Sequence, residues 1–117
     1  PFIGTDIVSV KRIKQLLEKH GNRFKQKTFT PKEIVYCDGK AEPAIHYAGR
    51  FAAKEAIKKC FLSSGLAVQI GFNEIEILPS DTGAPIVLPI HKYKYNNLKV
   101  SISHEFEYAI AMAILAI

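Results

Sequence analysis

Pro43-Ala44-Ile45-His46-Tyr47-Ala48-Gly49-Arg50-Phe51-Ala52-Ala53-Lys54-Glu55-Ala56-Ile57-Lys58-Lys59-Cys60-Phe61-Leu62 is the stretch on which the fold turns. Rich in Ala, Lys and Glu, with no proline beyond its first position and closed by Ser63-Ser64-Gly65, it predicts the longest helix of the chain. Glycine inside a helix costs about 1 kcal/mol against alanine, so Gly49 calls for a packing reason. Ala48, Ala52 and Ala56 recur every four residues beside it, which predicts a thin helix face that a neighbouring backbone can approach closely.

Upstream of this helix, Phe2, Ile3, Ile7 and Val8 flank Gly4-Thr5-Asp6 in a strand. The spacing then changes to Val10, Ile13, Leu16 and Leu17, a helix stopped by Gly21-Asn22. Thr30-Pro31-Lys32-Glu33 is a capping box with proline at the first helical position, starting a short helix that Asp38-Gly39 ends. Downstream the period drops to two. Glu74 to Ile77 alternates, Asp81-Thr82-Gly83 is a turn, Ile86 to Leu88 is a short strand, and Pro89 to Asn97 is a connection. Val100 to Ser103 and Tyr108 to Ile117 predict an antiparallel pair joined near His104 to Glu107. The expected class is α+β, with helices packed on a mainly antiparallel sheet, and residues 1–117 are expected to form one domain.

The chain has 117 residues, 48% of them hydrophobic and 23% charged, which suits a packed core and excludes an intrinsically disordered segment. A domain this small buries only about two-thirds of its unfolded surface and has little room to enclose a large ligand. Its charge is lopsided: residues 1–60 hold 13 Lys and Arg against 6 Asp and Glu, whereas residues 61–117 hold 3 against 5. A positive half of this kind attracts polyanions, phosphate-rich metabolites or an acidic protein. Cys37 and Cys60 are too few for a disulfide scaffold and neither stands at metal-site spacing, so a reducing, cytoplasmic setting is expected. No segment reads as a membrane span or an export signal.

Carboxylates are scarce in the basic half, so Asp6 on a strand and Glu55 on a basic helix stand out. Two such groups could share a hard cation such as Mg²⁺, which takes carboxylate oxygens and completes its shell with waters and substrate phosphates. Spacing alone favours a plainer reading, with Glu55 paired to Lys58 or Lys59 and Asp6 capping the first helix. On the long helix Phe51, Lys54, Glu55 and Lys58 are neighbours at three and four residues, a patch suited to a metal-bound pyrophosphate or to plain solvation. Ser101-Ile102-Ser103-His104 offers hydroxyls and an imidazole, without the elbow or third residue of a hydrolase triad. His20, His46 and His91 are isolated in the sequence and read as surface or packing residues.

Three segments together carry a resemblance: Gly4-Thr5-Asp6, then Ala48 to Ala56 with Lys58, then Ser101 to His104 followed by Tyr108-Ala109. In order, separation and chain length they resemble the holo-acyl-carrier-protein synthases, the short bacterial type of 4′-phosphopantetheinyl transferase. The resemblance implies that fold, and transfer of phosphopantetheine from coenzyme A to a serine of an acyl carrier protein in fatty acid biosynthesis. It implies Mg²⁺ on Asp6 and Glu55, with Lys58 near the pyrophosphate and Ser103 and His104 near the 3′-phosphate of coenzyme A. Arg50, Phe51 and Lys54 become pocket residues. Gly65 falls in the coenzyme A loop, where Leu62-Ser63-Ser64-Gly65 replaces the usual glycine-threonine-glycine. It further implies a homotrimer with sites between subunits, and a carrier-protein surface at Arg12 supported by Lys11, Lys14 and Arg23. Whether Glu55 or a water takes the serine proton stays open. The competing reading is a non-catalytic polyanion or nucleic-acid binding module. It calls for exposed aromatics among the basic residues, whereas these aromatics fall in core-like patterns.

Overall fold

The computed structural model describes residues 1–117. Its elements are β1 (Phe2–Ser9), α1 (Val10–His20), α2 (Asn22–Thr28), α3 (Pro31–Asp38), α4 (Pro43–Ser64), a 3₁₀ turn (Phe72–Glu74), β2 (Ile77–Pro79), β3 (Pro85–Val87), β4 (Asn97–His104) and β5 (Tyr108–Ala116). The main sheet has the order β1-β5-β4 and is antiparallel throughout, with β2 and β3 forming a separate hairpin. Phe2 lies opposite Leu115 and Ser9 opposite Tyr108, while His104 faces Ala109. No helix is long and apolar enough to cross a membrane.

The long helix lies on one face of this sheet, and small residues let it lie close. Ala52, Ala53 and Ala56 of α4 are fully buried, as is Ala109 on β5, with Ala111 and Ala113 nearly so. Gly4 is where β1 and α4 come nearest: a Cβ built there would stand 1.9 Å from the carbonyl oxygen of Ala56. At Gly49 the close neighbour is a side chain and not the expected backbone: a Cβ there would meet Ile102 Cγ2 at 3.1 Å.

A charged knot joins the helical half to the hairpin. Glu33 accepts from the Thr30 amide at 2.9 Å and from the Ile77 amide at 2.8 Å, and pairs with Lys54 at 2.6 Å. Lys54 also donates to the carbonyls of Thr28 at 2.9 Å and Phe72 at 3.0 Å. Both side chains are fully buried, so the ammonium spends all three donors on fixed acceptors. The capping box of α3 was legible in the sequence; that its glutamate also neutralises a core lysine was not.

Several boundaries differ from the sequence expectation. Residues Asn22–Thr28 form α2, which carries too little apolar periodicity to be foreseen. It is held from outside, by Phe24 edge-on to Phe29 at 5.8 Å and by Asn73 Nδ2 donating to the Gln26 carbonyl at 3.1 Å. The stretch from Glu74 to Ile77 buries Ile75 and Ile77 as the alternation implied, but ladder pairing begins only at Ile77. The first helix is capped by Ser9, whose hydroxyl accepts from the Arg12 amide at 3.2 Å, so Asp6 is not the cap. Gly65 closes α4 in the left-handed conformation at φ 79°.

Candidate active site at the seam of β1 and α4

Asp6 follows Gly4 on the same face of β1, so the close approach at Gly4 carries its carboxylate to the side of α4. Lys59 of α4 meets it there, donating to the Thr5 carbonyl at 2.7 Å and lying 3.4 Å from the Asp6 carboxylate. Glu55 stands one turn earlier on the same helix face as Lys59, and pairs with Lys58 at 3.6 Å. The seam thus joins one ion pair, Asp6 with Lys59, while a second, Glu55 with Lys58, starts one turn earlier on the helix.

Lys59 is the residue that the sequence reading missed. Lys58 and Lys59 are both one turn beyond Glu55, and helical spacing alone does not separate them. The structure does: Lys58 turns its ammonium over the Phe72 ring, 4.1 Å from the centroid, whereas Lys59 reaches β1. Phe51 stacks on the same Phe72 ring with centroids 5.4 Å apart, so Phe51, Phe72 and Lys58 make one surface. Lys54 does not join it. The expected placement of Lys54 in the pocket is corrected by its burial beside Glu33, where no ammonium donor is left for a ligand.

Ser103 and His104 are adjacent on β4 and therefore point to opposite faces. Ser103 lines a cavity of about 520 Å³ across the outer face of the sheet, with Thr5, Asp6, Lys59, Ser101 and Met112. His104 lies toward α4, next to the Gly49 position and six residues before Glu55 in register, roughly 9 Å along a helix axis. There its ring meets His46, centroids 5.3 Å apart, so His46 is not the isolated residue it resembles in the sequence. Arg50 is 6% exposed, sits 4.2 Å above the Tyr36 ring, and forms no ion pair. Its Nε is buried without a hydrogen-bond partner. Burial pushes the nearby Cys37 thiol up to about 12, which keeps it neutral and leaves Arg50 without a counter-ion there.

Lys11, Arg12, Lys14 and Arg23 are all exposed on α1 and α2, and none is in an ion pair. Next to them Leu16 and Phe24 floor a shallow hollow rimmed by His20, Arg23 and Lys27.

Comparison with known proteins gives this arrangement a family. The profile of the 4′-phosphopantetheinyl transferase superfamily matches residues 2–113. The chain belongs to that superfamily. Among its transferase relatives, a holo-[acyl-carrier-protein] synthase of Chlorobaculum parvum is 42% identical over 113 residues, covering 97% of this chain and 96% of its own. One from Ruminiclostridium cellulolyticum is 43% identical over 124 residues, covering 99% and 92%. Two transferase crystal structures superpose closely. The holo-(acyl-carrier-protein) synthase of Bacillus anthracis, in complex with CoA (3′,5′-ADP), has a TM-score of 0.82 at 32% identity, covering 98% of this chain and 95% of that one. The Helicobacter pylori synthase in complex with coenzyme A gives 0.81 at 33%, covering 97% and 99%. The α+β transferase fold expected from the three motifs is the fold observed.

Proposed function

We propose that this chain transfers the 4′-phosphopantetheine arm of coenzyme A to a serine hydroxyl of an acyl carrier protein. The ion pair of Asp6 with Lys59 at the β1–α4 seam, with Glu55 one turn before Lys59 on the helix, carries this reading, and the names and bound ligands of the relatives support it. In the reaction the serine oxygen forms a bond to the β-phosphorus as the bond to the bridging pyrophosphate oxygen breaks. Adenosine 3′,5′-bisphosphate leaves, and the serine gives up its proton. Lys59, held to β1 through the Thr5 carbonyl, sets a fixed positive charge against the phosphate that departs.

Asp6 and Glu55 offer the hard oxygen donors that Mg²⁺ prefers. No group of three or more potential metal-ligating side chains gathers in the structure, so two carboxylates would leave the remaining positions to waters and pyrophosphate oxygens. When bound, the ion supplies charge neutralisation to the pyrophosphate. At the other end of the nucleotide, Arg50 and His104 supply donors for a phosphate monoester. The exposed cations of α1 and α2 and the Leu16–Phe24 hollow suit an acidic carrier protein presenting an apolar residue.

The outer face of the sheet supports a homotrimer. Ile3, Ile7, Ile110, Met112 and Ile114 share that face and expose 41–64% of their surface. So large an apolar face marks a docking surface. The cavity containing Ser101 and Ser103 opens on it, which supports a site shared between subunits. A charge at its centre, Ile110→Glu, is expected to reduce the sedimenting species to a monomer; a mutant that keeps the wild-type mass would refute this interface.

The deciding assay incubates the protein with apo carrier protein, coenzyme A and Mg²⁺ and follows addition of phosphopantetheine by mass spectrometry. Lys59→Met is expected to lower kcat about 100-fold, the scale of losing one preorganised charge donor. Lys58→Met, resting on an aromatic ring, is expected to change it only a few-fold. Equal losses would remove the distinction between the two lysines, and no mass shift with wild-type protein would overturn the transferase reading.

A further inference from the structure

His46 sits in the first turns of α4, where four cationic or titratable groups converge with no carboxylate among them. Its ring is 5.3 Å from that of His104 on β4 and 5.9 Å from that of Tyr36 on α3. Over the same Tyr36 ring lie the Arg50 guanidinium at 4.2 Å and the Lys40 ammonium at 4.7 Å, the latter from the turn between α3 and α4. The charged groups acting on His46 are His104, Lys40 and Arg50, all of one sign. A buried arginine with an unpartnered Nε beside two imidazoles and a lysine is a site built for an anion.

We infer that His46 is a specificity-determining residue of a phosphate-monoester cradle formed with Arg50 and His104, taking up a proton as the 3′-phosphate of the nucleotide enters. The inference rests on the coenzyme A reading above and adds to it a residue and a pH dependence. Burial first, then the charges of His104, Lys40 and Arg50, pull the His46 pKa below its usual 6.5, so the empty cradle holds it neutral at pH 7. A phosphate is a dianion above about pH 6. Once seated it reverses the sign of the field, and imidazolium becomes the favoured form. Affinity for the 3′-phosphate therefore rises as pH falls from 8 toward 6.5, and the flanking imidazole of His104 shares the same anion.

Calorimetric titration of the intact protein with adenosine 3′,5′-bisphosphate and with adenosine 5′-monophosphate isolates that one phosphate. Run at pH 7 in buffers of different ionisation enthalpy, it also counts protons taken up. Wild type is expected to prefer the bisphosphate and to take up protons on binding it. His46→Phe, which keeps the aromatic contacts, is expected to lose about tenfold in bisphosphate affinity, to leave monophosphate affinity unchanged and to take up fewer protons. His46→Gln should recover part of the affinity through its amide donor without recovering the uptake. Folded variants with wild-type preference and wild-type uptake would overturn the role of His46. The two readings separate cleanly. A protein that makes no holo carrier protein yet shows this preference loses the transferase assignment and keeps the cradle; one that transfers normally with a bisphosphate preference indifferent to His46 does the reverse.

Discussion

Replacing Glu33 with glutamine is expected to remove about 3–5 kcal/mol of stability, because it leaves Lys54 fully buried with no counter-ion for its charge. The substitution preserves shape, so the loss is electrostatic. It also exchanges a carboxylate that accepts from Thr30, Ile77 and Lys54 for an amide with a single acceptor oxygen. Against the 5–15 kcal/mol typical of a domain, this is a large fraction of the total. Burial lowers the pKa of Lys54 and Glu33 opposes that shift, so deleting the carboxylate moves the lysine further toward its neutral form. Urea unfolding of Glu33→Gln, Lys54→Met and the double variant closes the cycle. The double variant should be more stable than Glu33→Gln alone, since no unpaired charge remains. A Glu33→Gln loss below about 1 kcal/mol would contradict the account.

Gly4→Ala is the second severe case. Its new methyl carbon would fall 1.9 Å from the Ala56 carbonyl oxygen, and both partners are backbone, so a whole helix must retreat from a whole strand. The expected cost is about 3 kcal/mol or more, at the upper end of overpacking effects. Gly83→Ala is the control. Gly83 has φ 88° with open space around it, so only the left-handed strain of about 1–2 kcal/mol applies. Equal melting temperatures for the two variants would show that β1 and α4 can part cheaply. A retreat of α4 would also separate Lys59 from Thr5 and Asp6, so any Gly4→Ala protein that folds should transfer slowly.

The sequence and the structure agree where local chemistry decides. Thr30-Pro31-Lys32-Glu33 starts α3 through its own hydrogen bonds, and the alanine ladder of α4 announces a close-packed face. They part where a distant segment decides. Asn22 to Thr28 is held as a helix by partners far along the chain, Phe51 against Phe24 and Asn73 on the Gln26 carbonyl. Among the cations of α4, Lys54 is claimed by α3, Lys58 by the 3₁₀ turn and Lys59 by β1, and helical period gives all three the same standing. His46 gains its neighbours from α3 and β4, more than fifty residues away in the second case.

The pairing of β1 with β5 bears on the order of assembly. Residues Phe2 to Ser9 pair with Tyr108 to Leu115, so β1 leaves the ribosome about a hundred residues before its ladder partner β5. Asp6 rides on that waiting strand. The helices can form as they are synthesised, but the Asp6 end of the candidate site closes only after β5 has emerged. Until then β1 is unpaired on both edges, the condition in which nascent chains aggregate or are held by chaperones.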